Sequence, residues 1–176
     1  MGFAGGTLAR DVNFLRMSNR TIPLIRSLIE SNDLQNEWCL RMIRHIFPDL
    51  YNVKIGIIGI AYKNDTDTLR RSVAYSLCKT LAKEVKGIYA FDKHIGGDAN
   101  VFAETLQNTI NKCDCLVIFS KHLDSDVFKD TSVFKNKTIL DPNYYRWNIG
   151  AWISYCKSFC GIWCVCVNLW NQYAKA

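Results

Sequence analysis

The sequence predicts an α/β fold, a helical segment followed by a three-layer domain with a mainly parallel sheet. Three observations predict it. Apolar residues recur at helical spacing through the first 48 positions. Short apolar runs then alternate with helix-length segments, which is how a parallel sheet with covering helices reads. The 176-residue length and a composition of 49% hydrophobic and 22% charged residues suit one good core with a smaller appendage.

Residues 1–48 make the first region. A glycine-rich loop, Gly2 to Gly6, leads into Asp11, Val12, Phe14 and Leu15, and then Ile22, Leu24, Ile25, Leu28 and Ile29 follow at helical spacing. Pro23 suits the first turn of a second helix, with Thr21 as its expected cap. Trp38, Leu40, Met42, Ile43 and Ile46 form a further amphipathic run, which Pro48 ends.

Residues 49–147 make the second. Val53–Ile60 is a short apolar run of the buried-strand type, and a helix is expected from about Leu69 to Lys83. Gly87–Asp92 reads as a second strand, 101–112 as a helix, Cys115–Ser120 as a third strand and Thr138–Leu140 as the start of a fourth. That alternation is Rossmann-like.

Residues 148–176 form an atypical Cys-rich tail. Ile149–Trp170 is apolar with Lys157 as its one charge, which suits a buried helix, a membrane span or a shifted reading frame. Cys156, Cys160, Cys164 and Cys166 read as free thiols or, at spacings of four, as metal ligands, although structural zinc favours Cys-x2-Cys pairs. No metal is expected. The first twenty residues hold no apolar core of a secretion signal, so a cytoplasmic chain with reduced cysteines is expected. A net charge of +6 suits phosphate-bearing ligands or plain solubility. Neither nucleic acid nor membrane is an expected partner.

Three sets of residues carry candidate chemistry. The loop Gly2 to Asp11 either brings backbone N–H groups to a phosphate or oxyanion, with Asp11 one turn past Thr7, or is a tight turn with Thr7 as N-cap. Gly56–Lys63 and the following Asp65–Arg70 place small residues, then Lys63 and Arg70, beyond a strand end, where α/β sheets bind ligands. The alternative is a solvated loop with Asp67 as a helix cap. The glycines fall short of GxGxxG. The strand ends supply Asp92, Ser120, Lys121, His122, Asp141, Pro142 and Asn143, with His122 a surface or a catalytic histidine.

GFAGGTLARD (Gly2–Asp11) and GIAYKNDTDTLRRSV (Gly59–Val73), with Asp92, the segment DCLVIFSKH and Asp141 in order, resemble the UDP-glucose/GDP-mannose dehydrogenase family over roughly residues 2 to 147. The resemblance implies an NAD domain preceding this chain, a central helical domain with the catalytic loop and the dimer interface, and a Rossmann-like domain that completes the nucleotide-sugar site. On that basis the chain is a fragment whose residues 1–48 belong to the central, dimerisation segment and 49–147 to the nucleotide-sugar-binding domain. The expected partners are a UDP- or GDP-sugar and a second copy of the chain.

The family oxidises a sugar C6 alcohol to a carboxylate with two NAD, through a cysteine thiohemiacetal and thioester, for surface polysaccharide synthesis. Here Thr7 stands at the cysteine position and Arg10 at the lysine position, while Asp11 is retained. A hydroxyl is a poor nucleophile without a strong base. The resemblance assigns Phe3, Gly5 and Lys63 to substrate and Arg70 to the cofactor phosphates. Arg71 and Val73 depart from the family's Glu and Pro. The implied reading is an impaired dehydrogenase portion, inactive alone. The alternative is a non-catalytic nucleotide-sugar-binding or dimerisation module.

Overall fold

The computed structural model describes residues 7–17, 22–63, 65–95, 105–120, 134 and 137–142. Strands β1 (Lys54–Ile58), β2 (Gly87–Phe91), β3 (Cys115–Ile118) and β4 (Thr138–Leu140) pair in parallel in the order β2-β1-β3-β4. Central β1 places Ile55 between Ile88 and Cys115, and Ile57 between Ala90 and Val117. After Lys54 it is apolar, Ile55 to Ile58, because both faces are covered.

Helices α1 (Thr7–Met17), α2 (Pro23–Asn36), α3 (Trp38–Ile46), α4 (Val73–Leu81) and α5 (Leu106–Lys112) complete the described elements. The two-residue period of a strand sends Ile55 and Ile57 to one face, where Cys39 and Ile43 of α3 and Ala74, Leu77, Cys78 and Leu81 of α4 meet them. Ile58 and Leu116 face the other way, onto Leu106 and Ile110 of α5 and Phe134. The result is the expected three-layer α/β arrangement.

The first two helices rest on the rest in series: α1 contacts α2, α2 contacts α3, and α3 contacts α4. Arg44 of α3 adds a two-pronged bond to Glu84 beyond α4, at 2.6 and 3.2 Å. Asp49 then caps a short 3-10 turn over Leu50–Asn52 by accepting from Tyr51 N. Pro48 does follow the end of α3, whose last cap is Phe47.

Several boundaries differ from expectation. The cap of α2 is Ile22, not Thr21, and no side chain caps it; Pro23 in the first turn removes one N–H that would need a partner. Thr7 is the first residue of α1 rather than its N-cap. The helix expected from Leu69 begins at Val73, because Arg71 has φ 60 and Ser72 is extended. Its cap is Ser72, not Asp67. α5 starts at Leu106, with Thr105 accepting from Asn108 N as its cap. Among the described residues no helix is long and apolar enough to cross a membrane, and no cluster of three or more potential ligands could hold a metal. The tail and its four cysteines lie outside the described residues.

Candidate functional site

Parallel strands bring all their carboxyl ends to one edge. From β1 the chain passes through α4 to β2 on one side, then through α5 to β3 on the other. The carboxyl ends of β1 and β3 therefore form a topological switch point, where open α/β sheets bind ligands. Gly59 to Lys63 leave β1 there, Ser120 follows β3, and Asp92 and Asp141 follow β2 and β4. Lys121, His122 and Asn143 lie outside the described residues.

Gly59 sits at φ 81, and a Cβ on it would lie 2.3 Å from the Ser120 Cβ and 2.6 Å from the Ser120 N. Only glycine allows that approach. The Gly59 N–H donates to Phe91 O at 2.8 Å, and the Phe119 N–H to Ile58 O at 2.8 Å, so three strand ends are stitched together.

The next turn is held from two sides. Asp92 is almost fully buried, and its Oδ2 accepts from both Ile60 N and Ala61 N at 2.9 Å. Its Oδ1 accepts from His94 N at 3.0 Å. Ser72, also buried, donates its hydroxyl to Ile60 O at 2.6 Å and accepts from Tyr75 N at 3.1 Å. One carboxylate and one hydroxyl thus satisfy both the donor and the acceptor of Ile60 and start α4.

Beyond this base the connection opens to solvent. Tyr62 N donates to Thr68 O at 3.0 Å and Thr66 Oγ1 to Lys63 O at 2.8 Å, closing a small loop. Asp65, at φ 59, brings a carboxylate to 3.4 Å from His94 Nε2. Lys63 and Arg70 are both exposed on this one connection, which runs from the end of β1 to the start of α4.

Thr7, Arg10 and Asp11 are exposed on α1, which packs on α2. Arg10 Nε pairs with Asp11 Oδ1 at 3.1 Å. Thr7 and Asp11, four residues apart, share a helix face as expected. Phe3 and Gly5 lie outside the described residues.

The turn does not fit the pyrophosphate of NAD. A dinucleotide site leaves the turn's N–H groups and the helix N-terminus open to phosphate. Here Asp92 takes the Ile60 and Ala61 N–H groups, Ser72 takes Tyr75 N, and Ser120 fills the space over Gly59. The acidic residue after β2 faces inward rather than toward a ribose.

The four described cysteines offer no activated thiol. Burial pushes Cys39 and Cys78 up to about 12 and Cys113 to about 11, and drives Cys115 up further. A nucleophilic cysteine needs the opposite shift. Sequence reasoning missed Ser72. A serine directly before the apolar helical run Val73–Leu81 was the available signal.

Residues 56–145 match the family model described as the UDP-glucose/GDP-mannose dehydrogenase family, UDP binding domain. The UDP-N-acetyl-D-mannosamine dehydrogenase of Methanocaldococcus jannaschii is 27% identical over 146 residues, covering 80% of this chain and 34% of that protein. Among solved structures, a UDP-D-ManNAc dehydrogenase from Pyrococcus horikoshii is similar at TM-score 0.66 and 20% identity, over 80% of this chain and 34% of that one. GDP-mannose dehydrogenase from Pseudomonas aeruginosa is similar at TM-score 0.64 and 21% identity, over 80% and 36%. At such identities the structural likeness establishes the fold. The chain spans about a third of the length of the curated relatives it matches.

Proposed function

The chain belongs to the UDP-glucose/GDP-mannose dehydrogenase family, and from that membership we propose that its sheet edge holds the nucleotide end of a UDP- or GDP-sugar. The observation that carries this reading is the pair of exposed cations, Lys63 and Arg70, on the connection at the switch point of the matched UDP-binding region. A compact ammonium suits a diphosphate as a point charge, so Lys63 is the substrate-binding residue. Residues 1–48 and 49–147 serve as the helical and the nucleotide-sugar-binding portions.

The parent activity in this proposal is oxidation of the sugar C6 alcohol with NAD, supported by the dehydrogenase names of the relatives. Bound NAD would accept hydride. The β1 turn described above is closed to its pyrophosphate, so this domain contributes Arg70 toward the cofactor and not the cofactor's main seat. Phe3 and Gly5 of the glycine-rich stretch would contact sugar, and Thr7, Arg10 and Asp11 follow on α1. The Asp11 carboxylate would position water or move a proton. The Thr7 hydroxyl replaces a thiol whose reference pKa of about 8.5 makes it far easier to ionise. Oxidation is therefore impaired, and in the intact parent we expect a single slow oxidation. Release of two NADH per sugar at an ordinary rate would contradict it.

The alternative, a non-catalytic binding or dimerisation module, is favoured by one observation: Thr7 stands where the family has its cysteine. Calorimetry tests the shared part of both readings. UDP should bind the chain, and Lys63→Ala should weaken it about tenfold, the loss of roughly 1.4 kcal/mol. Absence of binding by both UDP and GDP overturns nucleotide-sugar binding in either reading and leaves only the dimerisation module.

A further inference from the structure

Asp92 and Ser72 lie beneath the ligand-facing connection and do not reach its surface. Both are buried, at 6% and 2% exposure. They hold the same peptide segment from opposite sides: Asp92 Oδ2 accepts from Ile60 N and Ala61 N, and Ser72 Oγ donates to Ile60 O. Lys63 is two residues beyond Ala61. A carboxylate accepting two adjacent N–H groups occupies the place that a bound phosphate takes in a dinucleotide turn. Here the anion belongs to the protein, so the turn stays fixed without any ligand. The same carboxylate reaches His94 N, and His94 Nε2 faces Asp65, two residues past Lys63. Downstream, Thr66 Oγ1 donates to Lys63 O at 2.8 Å, so hydrogen bonds hold the segment that carries Lys63 on both its flanks.

We propose that Asp92 and Ser72 are positioning residues for Lys63, fixing the Ile60–Ala61 turn so that the ammonium stands at the sheet edge before ligand arrives. The inference rests on the assignment of Lys63 to the nucleotide diphosphate. Preorganisation of this kind raises affinity by removing an ordering cost at the moment of binding. Its signature is energetic coupling between each buried residue and Lys63, which a purely structural role lacks.

The test is a double-mutant cycle on the full chain, with UDP as the probe and calorimetry as the readout. Asp92→Asn and Ser72→Ala are each made alone and with Lys63→Ala. Asp114→Asn is the control: Asp114 makes a similar carboxylate bond, to Lys54 N at 2.8 Å, at the opposite end of β1. We expect Asp92→Asn and Ser72→Ala each to weaken UDP binding about five- to tenfold in the native background. In the Lys63→Ala background the loss should shrink to less than about twofold. Asp114→Asn should lower stability and leave UDP affinity within about twofold. If Asp92→Asn does not fold, the Ser72→Ala cycle decides alone. Equal losses with and without Lys63, or unchanged affinity in the single variants, overturn the proposal while leaving the role of Lys63 intact. If Lys63→Ala binds UDP as the native chain does, the role of Lys63 fails and this inference falls with it.

Discussion

Gly59 after β1 leaves no room for a side chain beside Ser120 after β3, and single residues of this kind set the geometry of the sheet edge. A side chain at Gly59 would meet both backbone and Cβ of Ser120, at a φ that disfavours L residues. Gly59→Ala should lower unfolding stability by more than the roughly 1–2 kcal/mol of the left-handed conformation alone. Gly87→Ala should cost far less, since its Cβ would first meet the flexible Tyr89 side chain at 3.3 Å. Chemical denaturation compares the two. A second prediction concerns the buried thiols. Burial raises the thiols of Cys39 and Cys78 from an ordinary 9.0 to about 12. Above pH 9 the unfolded chain releases these protons while the native chain keeps them, so the stability they contribute is complete below 9 and declines as pH rises toward 12. Thiol labelling with mass mapping should find Cys39, Cys78, Cys113 and Cys115 protected at pH 8 and labelled only on unfolding; fast labelling of any of them in the native chain would contradict the burial.

The strands were the most legible elements. Val53–Ile60 reads as buried because a central parallel strand meets helices on both faces, and β1 is covered that way. Helix starts were less legible. Asp67 looked like a cap because an acidic residue stood before a basic, apolar stretch, yet the left-handed turn at Arg71 delays α4 to Val73 and gives the cap to Ser72. Ser72 before the apolar run was a local signal, but its bond to Ile60 O, twelve residues away, is a tertiary contact. The consequence is measurable. A lost N-cap usually costs about 1 kcal/mol, but Ser72→Ala also strands a buried carbonyl, at a further 1–3 kcal/mol or so. Thermal unfolding of Ser72→Ala beside Thr105→Ala, an exposed cap of the ordinary kind, should show the larger loss for Ser72. At the α3–α4 junction, the hydrogen bond from Arg44 holds the Glu84 carboxyl below its usual range. Its contribution is present above the ordinary carboxylate pKa and is lost as pH falls through the lowered value. It should be small, as surface pairs are.

The fold of the whole molecule followed from alternation of strands and helices, and the parallel sheet in three layers matches it. The site was legible in part. Lys63 and Arg70 were visible as cations after a strand, while Asp92 was visible only as a strand-end acid whose inward turn depends on tertiary contacts. Among the described residues the helical part carries the widest apolar exposure, with Phe14, Met17 and Leu24 all more than 70% exposed. In the proposed reading that surface meets a second copy of the chain. Sedimentation from about 1 to 100 μM should show concentration-dependent association that Phe14→Ser with Leu24→Ser reduces. A monomer throughout would remove the dimer from the account.

The central claim is that the carboxyl edge of this sheet binds a nucleotide diphosphate through the connection after β1. Titration of the isotopically labelled chain with UDP, followed by amide NMR, tests it most directly. The account predicts saturable shifts concentrated in Ile60 to Ser72 and at Ser120, with Lys54 and Asp114 at the opposite edge unmoved. Shifts spread evenly, centred on another face, or absent at millimolar UDP would contradict it.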